Sequence, residues 1–182
     1  MADGPDLQHE NAALRARVAE LEARLARAEH LADTDTLTPL ANRRFFYRAI
    51  ERSVAQLGRH GTPASLVFLD VDGLKALNDT HGHAVGDEAL IHIAWVLQEN
   101  IRTGDVVARL AGDEFGVLLD YTEEGAALEK ARSLCEAVEE RPLKNLALSV
   151  SAGVTALRAA DTPEAALARA DAAMYLEKHQ QS

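Results

Sequence analysis

Two apolar runs, each carrying acids at one end, constrain this chain more than anything else in it. The first, Leu66-Val67-Phe68-Leu69, ends in Asp70-Val71-Asp72; the second, Val117-Leu118-Leu119, follows Ala111-Gly112-Asp113-Glu114-Phe115. Runs this short and this apolar read as buried strands. Acids at the end of one strand and at a glycine turn opening the next converge if the strands are neighbours. Clustered carboxylates repel one another, and a bound divalent cation is the usual compensation. Between the runs lie Lys75, Asn78-Asp79, His81-Gly82-His83 and Gly86-Asp87. Lysine and glycine beside such acids suit a phosphate-bearing ligand, so magnesium and a nucleotide are the first expectation.

The rest of the chain supplies helices to cover those strands. Pro39 disfavours helix at Thr38 and suits the first turn of a new one. Ala41 to His60 then reads as a helix with Phe45, Phe46, Ile50, Val54 and Leu57 near one face, stopped by Gly61 and Pro63. Strand is expected over 65–71 and a short helix near 73–79. A longer helix is expected over 84–102, with Ala89, Leu90, Ile93, Leu97 and Ile101 as its stripe. Strands 105–110 and 114–120 read as a hairpin. Helix follows over 123–139, strand over 145–154, and a last helix from Thr162-Pro163-Glu164 to about Lys178. The hairpin excludes a purely parallel sheet, so the pattern predicts an α+β fold with one mixed sheet and helices packed on it.

Residues 6–32 differ in kind. Leu7, Leu14, Leu21 and Ala28 fall at heptad position d, and Asn11, Val18, Leu25 and Ala32 at a. The flanking pairs Glu10–Arg15, Arg17–Glu22 and Arg24–Glu29 are opposite in charge, as a parallel homodimer requires, and Asn11 at a favours two strands in register. Leu31 lies out of phase, so the seam is expected to loosen near Asp33. The expected organisation is a coiled-coil stalk over 1–32 and a second domain over 33–182. With 29 acids against 19 bases, the chain has a net charge of −10, which argues against nonspecific nucleic-acid binding or anionic membranes. The polar N-terminus has no signal-peptide core, no apolar run approaches a membrane span, and the single Cys135 forbids an intrachain disulfide. A cytoplasmic protein is expected, with Cys135 as a small buried apolar residue.

These motifs together resemble the GGDEF-domain diguanylate cyclase family. Ala111-Gly112-Asp113-Glu114-Phe115 matches the naming motif. Asp35-Thr36-Leu37-Thr38-Pro39-Leu40 with Asn42-Arg43-Arg44 matches the opening signature. Leu69-Asp70-Val71-Asp72, Lys75, Asn78-Asp79, Gly82-His83, Gly86-Asp87, Ser149 to Val154 and Ala170-Asp171-Ala172-Ala173-Met174-Tyr175 with Lys178 follow at family spacing. The resemblance covers about residues 33–178. It implies a fold similar to nucleotidyl cyclase and polymerase palm domains. It also implies a reaction in which two GTP condense to cyclic di-GMP and two pyrophosphates across a homodimer.

The roles that the resemblance implies make physical sense at these positions. Asp70, the Val71 carbonyl, Asp113 and Glu114 match metal ligands, with Asp113 and Glu114 also catalytic. Two Mg2+ (or Mn2+) ions would polarise the α-phosphate and lower the pKa of the attacking 3′-hydroxyl. Asn78 and Asp87 match residues that hold the guanine edge. Lys75 and Lys178 match triphosphate contacts, Gly73 and Leu74 offer backbone N–H groups at a helix start, and Gly112 lies against the substrate. His83 matches a structural histidine, and neither it nor His81 suits magnesium.

Two departures stand out: Ala111 replaces the first glycine of the motif, and Ser182 stands where a basic residue is expected. Arg102-Thr103-Gly104-Asp105 matches an RxxD inhibitory motif for the product, in which arginine can pair with a guanine edge or a phosphate. Residues 1–32 leave no room for a sensory domain, so control is expected from product, from the stalk, or from a regulatory protein gripping it. The alternatives are a degenerate GGDEF module that binds GTP or cyclic di-GMP without turnover, and a coiled-coil adaptor.

Overall fold

The first apolar run lies in a strand, Ala64–Val71, of a computed structural model that describes residues 7–180. In chain order the elements are α1 (Leu7–Asp33), β1 (Ala41–Asn42), α2 (Arg43–His60), β2 (Ala64–Val71), α3 (Leu74–His81) and α4 (His83–Glu99). They continue with β3 (Val106–Ala111), β4 (Glu114–Asp120), α5 (Glu124–Glu139), β5 (Val150–Ala156) and α6 (Pro163–Gln180). The chain divides into two compact units, Met1–Asp33 and Thr34–Ser182.

The second unit is built on one five-stranded sheet in the order β1-β3-β4-β2-β5, parallel at β1–β3 and antiparallel elsewhere. Each helical crossover, β2 to β3 and β4 to β5, skips one strand, which gives the ferredoxin-like βαββαβ arrangement. Because β2 is central and covered on both faces, its residues alternate between two cores instead of between core and water. Val67, Leu69 and Val71 join α4 and α5 in one cluster. Ala64, Leu66 and Phe68 join α2 and α6 in the other. Leu66, Val67 and Leu69 are fully buried, each stabilising the fold by about 1.5–3 kcal/mol. Cys135 is half-buried on α5 against the first cluster, as a small apolar residue would be.

Three boundaries differ from the sequence expectation. Pro39 does not open α2. Asn42 does, its side chain accepting from Phe45 N at 3.0 Å, while Ala41–Asn42 pair with β3 as a two-residue strand. Helix α4 ends at Glu99, which leaves Arg102 in a loop. β5 starts at Val150 and not at Asn145, because Leu143 and Leu146 exchange backbone hydrogen bonds across a turn with Lys144 at φ 57°.

In α1, taken by itself, Leu14, Val18 and Leu21 are exposed, and Arg17 pairs with Glu20 at 2.6 Å. The heptad expectations at Leu7, Leu25, Ala28, Glu29 and Leu31 concern side chains outside those described; Ser182 also lies outside the described residues. No helix among the described residues is long and apolar enough to cross a membrane.

Helix α6 approaches β5 so closely that Gly153 is obligatory. A Cβ there would stand 2.1 Å from the Ala170 carbonyl oxygen and 2.3 Å from the Met174 nitrogen. Both are backbone atoms, so the helix itself would have to move. Gly153→Ala is expected to destabilise the protein by about 1–3 kcal/mol or more, measured by urea denaturation; an unchanged midpoint would show that α6 shifts freely.

Candidate active site

The strand register brings the two key acids face to face. Asp70 on β2 is the cross-strand partner of Glu114 on β4. Both side chains project from the face of the sheet that carries Leu66, Phe68 and Leu118, towards α2 and α6. Like charges directly opposite each other are unfavourable. Burial, and then the charges of Asp113, Asp70 and Asp171, push the Glu114 carboxyl above the usual glutamate range against the opposing pull of Arg43.

Lys178, from the far end of the chain, meets these acids. Its ammonium lies 2.7 Å from Asp70 Oδ1 and 3.1 Å from Asp72 Oδ1. Burial alone would lower its pKa, but the hydrogen bonds to Asp70 and Asp72 raise it. β2 ends at Val71, yet Asp72 still joins Asp70 around that ammonium and accepts from Ser149 Oγ at 3.0 Å and Ser151 Oγ at 2.7 Å.

The donor set fits a hard divalent cation. Among the described residues no three carboxylate, histidine or cysteine side chains form an all-protein metal cage. Magnesium does not need one, since it typically takes one or two carboxylates and completes its shell with water and substrate phosphate. Asp70 and Glu114, with the Val71 carbonyl at the strand end, could supply such a partial set, and the Lys178 ammonium already pairs with Asp70. Asp113 lies at the hairpin turn, where its carbonyl accepts from Val71 N at 3.1 Å and so ties the turn to the end of β2.

Gly112 carries the turn at φ 33°, a region that favours glycine. Ala111 is the last residue of β3 and is not at positive φ, so alanine meets no backbone strain there. Arg109 holds the turn from behind. Its Nε and Nη2 donate to the Gly112 carbonyl at 3.0 and 2.7 Å, and its Nη1 to Asp35 Oδ1 at 3.3 Å. Burial would raise the Asp35 carboxyl, but hydrogen bonds from Thr38 and the Arg109 charge hold it below the usual range.

The residues matched to the nucleotide lie on α3 and α4. Gly73 at φ 69° opens α3 without a side-chain cap, so the first-turn N–H groups from Leu74 onward are left for solvent or a ligand. Lys75 is exposed on the same turn. Asn78 packs over Gly86, where a Cβ would stand 1.9 Å from Asn78 Oδ1. That oxygen is buried and has no hydrogen-bond partner. A buried amide without a partner is costly, and a base edge offering N–H groups would supply what it lacks. Asp87, next to Gly86, is exposed, as are His81 and His83.

Arg102 and Asp105 form a second locus. Arg102 Nε donates to Asp105 Oδ1 at 3.1 Å, and Nη2 donates to the Asp120 carbonyl at 2.5 Å and to Thr122 Oγ1 at 2.7 Å. The Arg102 side chain is 60% exposed while that of Asp105 is 2% exposed. The buried acid therefore orients a guanidinium that still faces solvent.

Sequence reasoning quoted Asp35, Arg43, Ser149, Ser151 and Asp171 within motifs but gave them no role. Arg109, which leads into the glycine turn, was likewise given no role. The signal for Arg109 and Asp35 was β1, whose pairing of Asn42 with Arg109 brings the opening signature alongside the turn.

The family model described as "Diguanylate cyclase, GGDEF domain" matches residues 32–182. Diguanylate cyclase DosC of Escherichia coli is 36% identical over 156 residues, which cover 83% of this chain and 34% of that protein. The chain thus spans about a third of the length of that curated relative. The solved coiled coil and GGDEF domain of DgcB from Caulobacter crescentus, in complex with c-di-GMP, superposes with a TM-score of 0.85 at 29% identity over 96% of this chain and 95% of that one. Diguanylate cyclase SiaD of Pseudomonas aeruginosa, in complex with its activator SiaC, superposes with a TM-score of 0.78 at 31% identity over 95% of this chain and 70% of that one. With the family model spanning the whole second unit, the chain belongs to the GGDEF diguanylate cyclase family.

Proposed function

We propose that this chain is a diguanylate cyclase, joining two GTP into cyclic di-GMP with release of two pyrophosphates. The observation that carries this reading is the pairing of Asp70 with Glu114 across β2 and β4. Two hard-oxygen donors are fixed there by strand register beside a turn held by Arg109. Bound there, one or two magnesium (or manganese) ions would supply charge at the α-phosphate and acidify a 3′-hydroxyl. Asp70, Glu114 and the Val71 carbonyl would hold them, with Asp113 at the turn. The chain's own residues do the rest. Asn78 Oδ1 and the Asp87 carboxylate accept from the guanine ring N–H and amine, which adenine does not present in that pattern. Lys75, Lys178 and the first N–H groups of α3, from Gly73 and Leu74 onward, hold the triphosphate, and Gly112 lets it approach the turn. Lys178 would then exchange Asp70 for phosphate when metal arrives.

One domain holding one GTP can supply only half of each reaction, so two copies must face each other. The exposed Leu14, Val18 and Leu21 support a parallel α1 pair as the tether, and the similar DgcB fragment is described as containing a coiled coil. The stalk over 1–32 would also be the natural grip for a regulatory protein; that SiaD was solved in complex with its activator SiaC supports a regulatory partner, without locating it. Product held at Arg102 and Asp105 would inhibit, and we place the reaction in the cytoplasm.

Incubation with GTP and magnesium, followed by nucleotide chromatography, is expected to show cyclic di-GMP, and Asp70→Asn to abolish it because an amide is a poor ligand for a hard cation. A parent that binds GTP without product would favour the receptor reading; full activity in Asp70→Asn would remove the metal assignment.

Glu114→Gln separates metal binding from fold. The folded glutamate has a raised pKa, so its contribution to stability is present below the usual glutamate range and is lost as pH rises through the folded value. Without metal, the glutamine variant is expected to be more stable than the parent at neutral pH by about 0.2–1 kcal/mol, with the gap closing in acid. It is also expected to gain no thermal stability from GTP with magnesium. A variant less stable than its parent at neutral pH would show that Arg43 outweighs the neighbouring acids.

The stalk raises the encounter rate. Short tethers give effective concentrations in about the millimolar range. Specific activity of residues 33–182 is expected to rise with concentration, while that of the full chain stays flat; charged residues at Leu14 and Leu21 are expected to imitate the truncation. A monomeric truncation as active as the full chain at every dilution would assign the stalk another task.

A further inference from the structure

Tyr121 breaks a local rule at a place where nothing in the fold requires a tyrosine. It stands at φ 54°, left-handed backbone that a bulky residue rarely adopts, and it is 72% exposed. Such strain persists only when the surroundings over-determine it. Here they do. Ser53 Oγ donates to Asp120 Oδ1 at 2.7 Å, and Ser65 Oγ donates to the Thr122 carbonyl at 2.9 Å. Thr122 N donates to the Pro63 carbonyl at 3.2 Å, and Thr122 Oγ1 to the Asp120 carbonyl at 2.9 Å. Both neighbours of Tyr121 are therefore pinned to the sheet, and the tyrosine between them is pushed out into solvent.

The same two neighbours are the partners of Arg102. Its Nη2 meets the Asp120 carbonyl and Thr122 Oγ1, so the guanidinium and the tyrosine rise from the same three residues. An exposed arginine oriented by a buried acid can bind a guanine edge or a phosphate. An exposed aromatic residue between the two that hold this arginine offers a ring face for a base to stack on. We infer that Tyr121 is a base-stacking residue of the Arg102 site, so that a guanine nucleotide bound there is held by stacking on this ring as well as by the arginine. The inference rests on the product-site reading of Arg102 and Asp105, and adds to it a residue that the RxxD motif does not contain.

The test is calorimetric titration of the full chain with cyclic di-GMP, alongside Arg102→Ala, Tyr121→Phe and Tyr121→Gly. Glycine removes the ring and also relieves the backbone, so the variant should melt at or above the parent temperature, which excludes misfolding as a cause. At the site that Arg102→Ala abolishes, Tyr121→Gly is expected to weaken binding by about 5- to 150-fold, the span of base–aromatic stacking, while Tyr121→Phe retains parent affinity. If Arg102→Ala abolishes the site and Tyr121→Gly binds like the parent, the stacking role is wrong and the RxxD reading stands. If Arg102→Ala leaves every binding event unchanged, the RxxD reading fails and the inference falls with it.

Discussion

Two carboxylates held opposite each other on one face of a sheet are the constraint from which the rest of this structure follows. Asp70 and Glu114 repel, and free side chains would move apart. Here they cannot, because β2 and β4 share an antiparallel register that runs from Ala64 and Asp120 to Asp70 and Glu114. A slip of one residue would turn Leu66, Phe68 and Leu118 out of one core and Val67, Leu69 and Val117 out of the other. The two buried faces thus enforce a contact that electrostatics alone would dissolve. Lys178 offsets part of the repulsion from below, and Arg109 fixes the turn from behind.

That explains what the sequence could and could not convey. The acids were legible because each sits at the end of an apolar run, and a strand buried on both faces leaves a run with little polar interruption. Helices α4 and α5 were legible from their 3.6-residue period. Strand β1 was not, since two residues carry no period, and Pro39 looked like a better helix start than Asn42. The start of β5 was hidden because Leu146 and Leu148 alternate like strand residues, while the bonds that close the turn at Leu143 are made by backbone. Lys178 lies 108 residues from Asp70 and Arg109 lies 74 from Asp35. No spacing within either segment encodes such a meeting, and only the sheet order creates it. Tyr121 was invisible for a related reason: Asp-Tyr-Thr carries no glycine or asparagine to announce left-handed backbone.

Where local rules fail, they fail in a pattern. The like-charged pair, the unpartnered Asn78 oxygen and the strained Tyr121 are each unfavourable alone, and each lies beside a residue that the family resemblance matches to a ligand. Elsewhere propensity, caps and packing agree: Asn42 caps α2, Gly61 closes it, and Gly153 admits α6. A chain consistent in its scaffold and inconsistent at its ligand positions is what binding sites produce, because the missing partners arrive with the ligand.

β4 links the two loci and limits how they can communicate. Glu114 opens this strand and Asp120, beside Arg102, closes it. Seven residues of strand span roughly 20 Å, too far for a dinucleotide at Arg102 to touch the groups around Glu114. Product bound there would not compete for the catalytic acids of its own domain. β4 is also paired on both edges and buried along its length, so it is a poor element to deform. Inhibition through Arg102 on the proposed reading is then best explained by restraint of one domain against its partner copy. On that reading, a reaction that needs two facing domains would be stopped by holding them apart, and a tether that makes the encounter frequent would also keep the second copy within reach of that restraint.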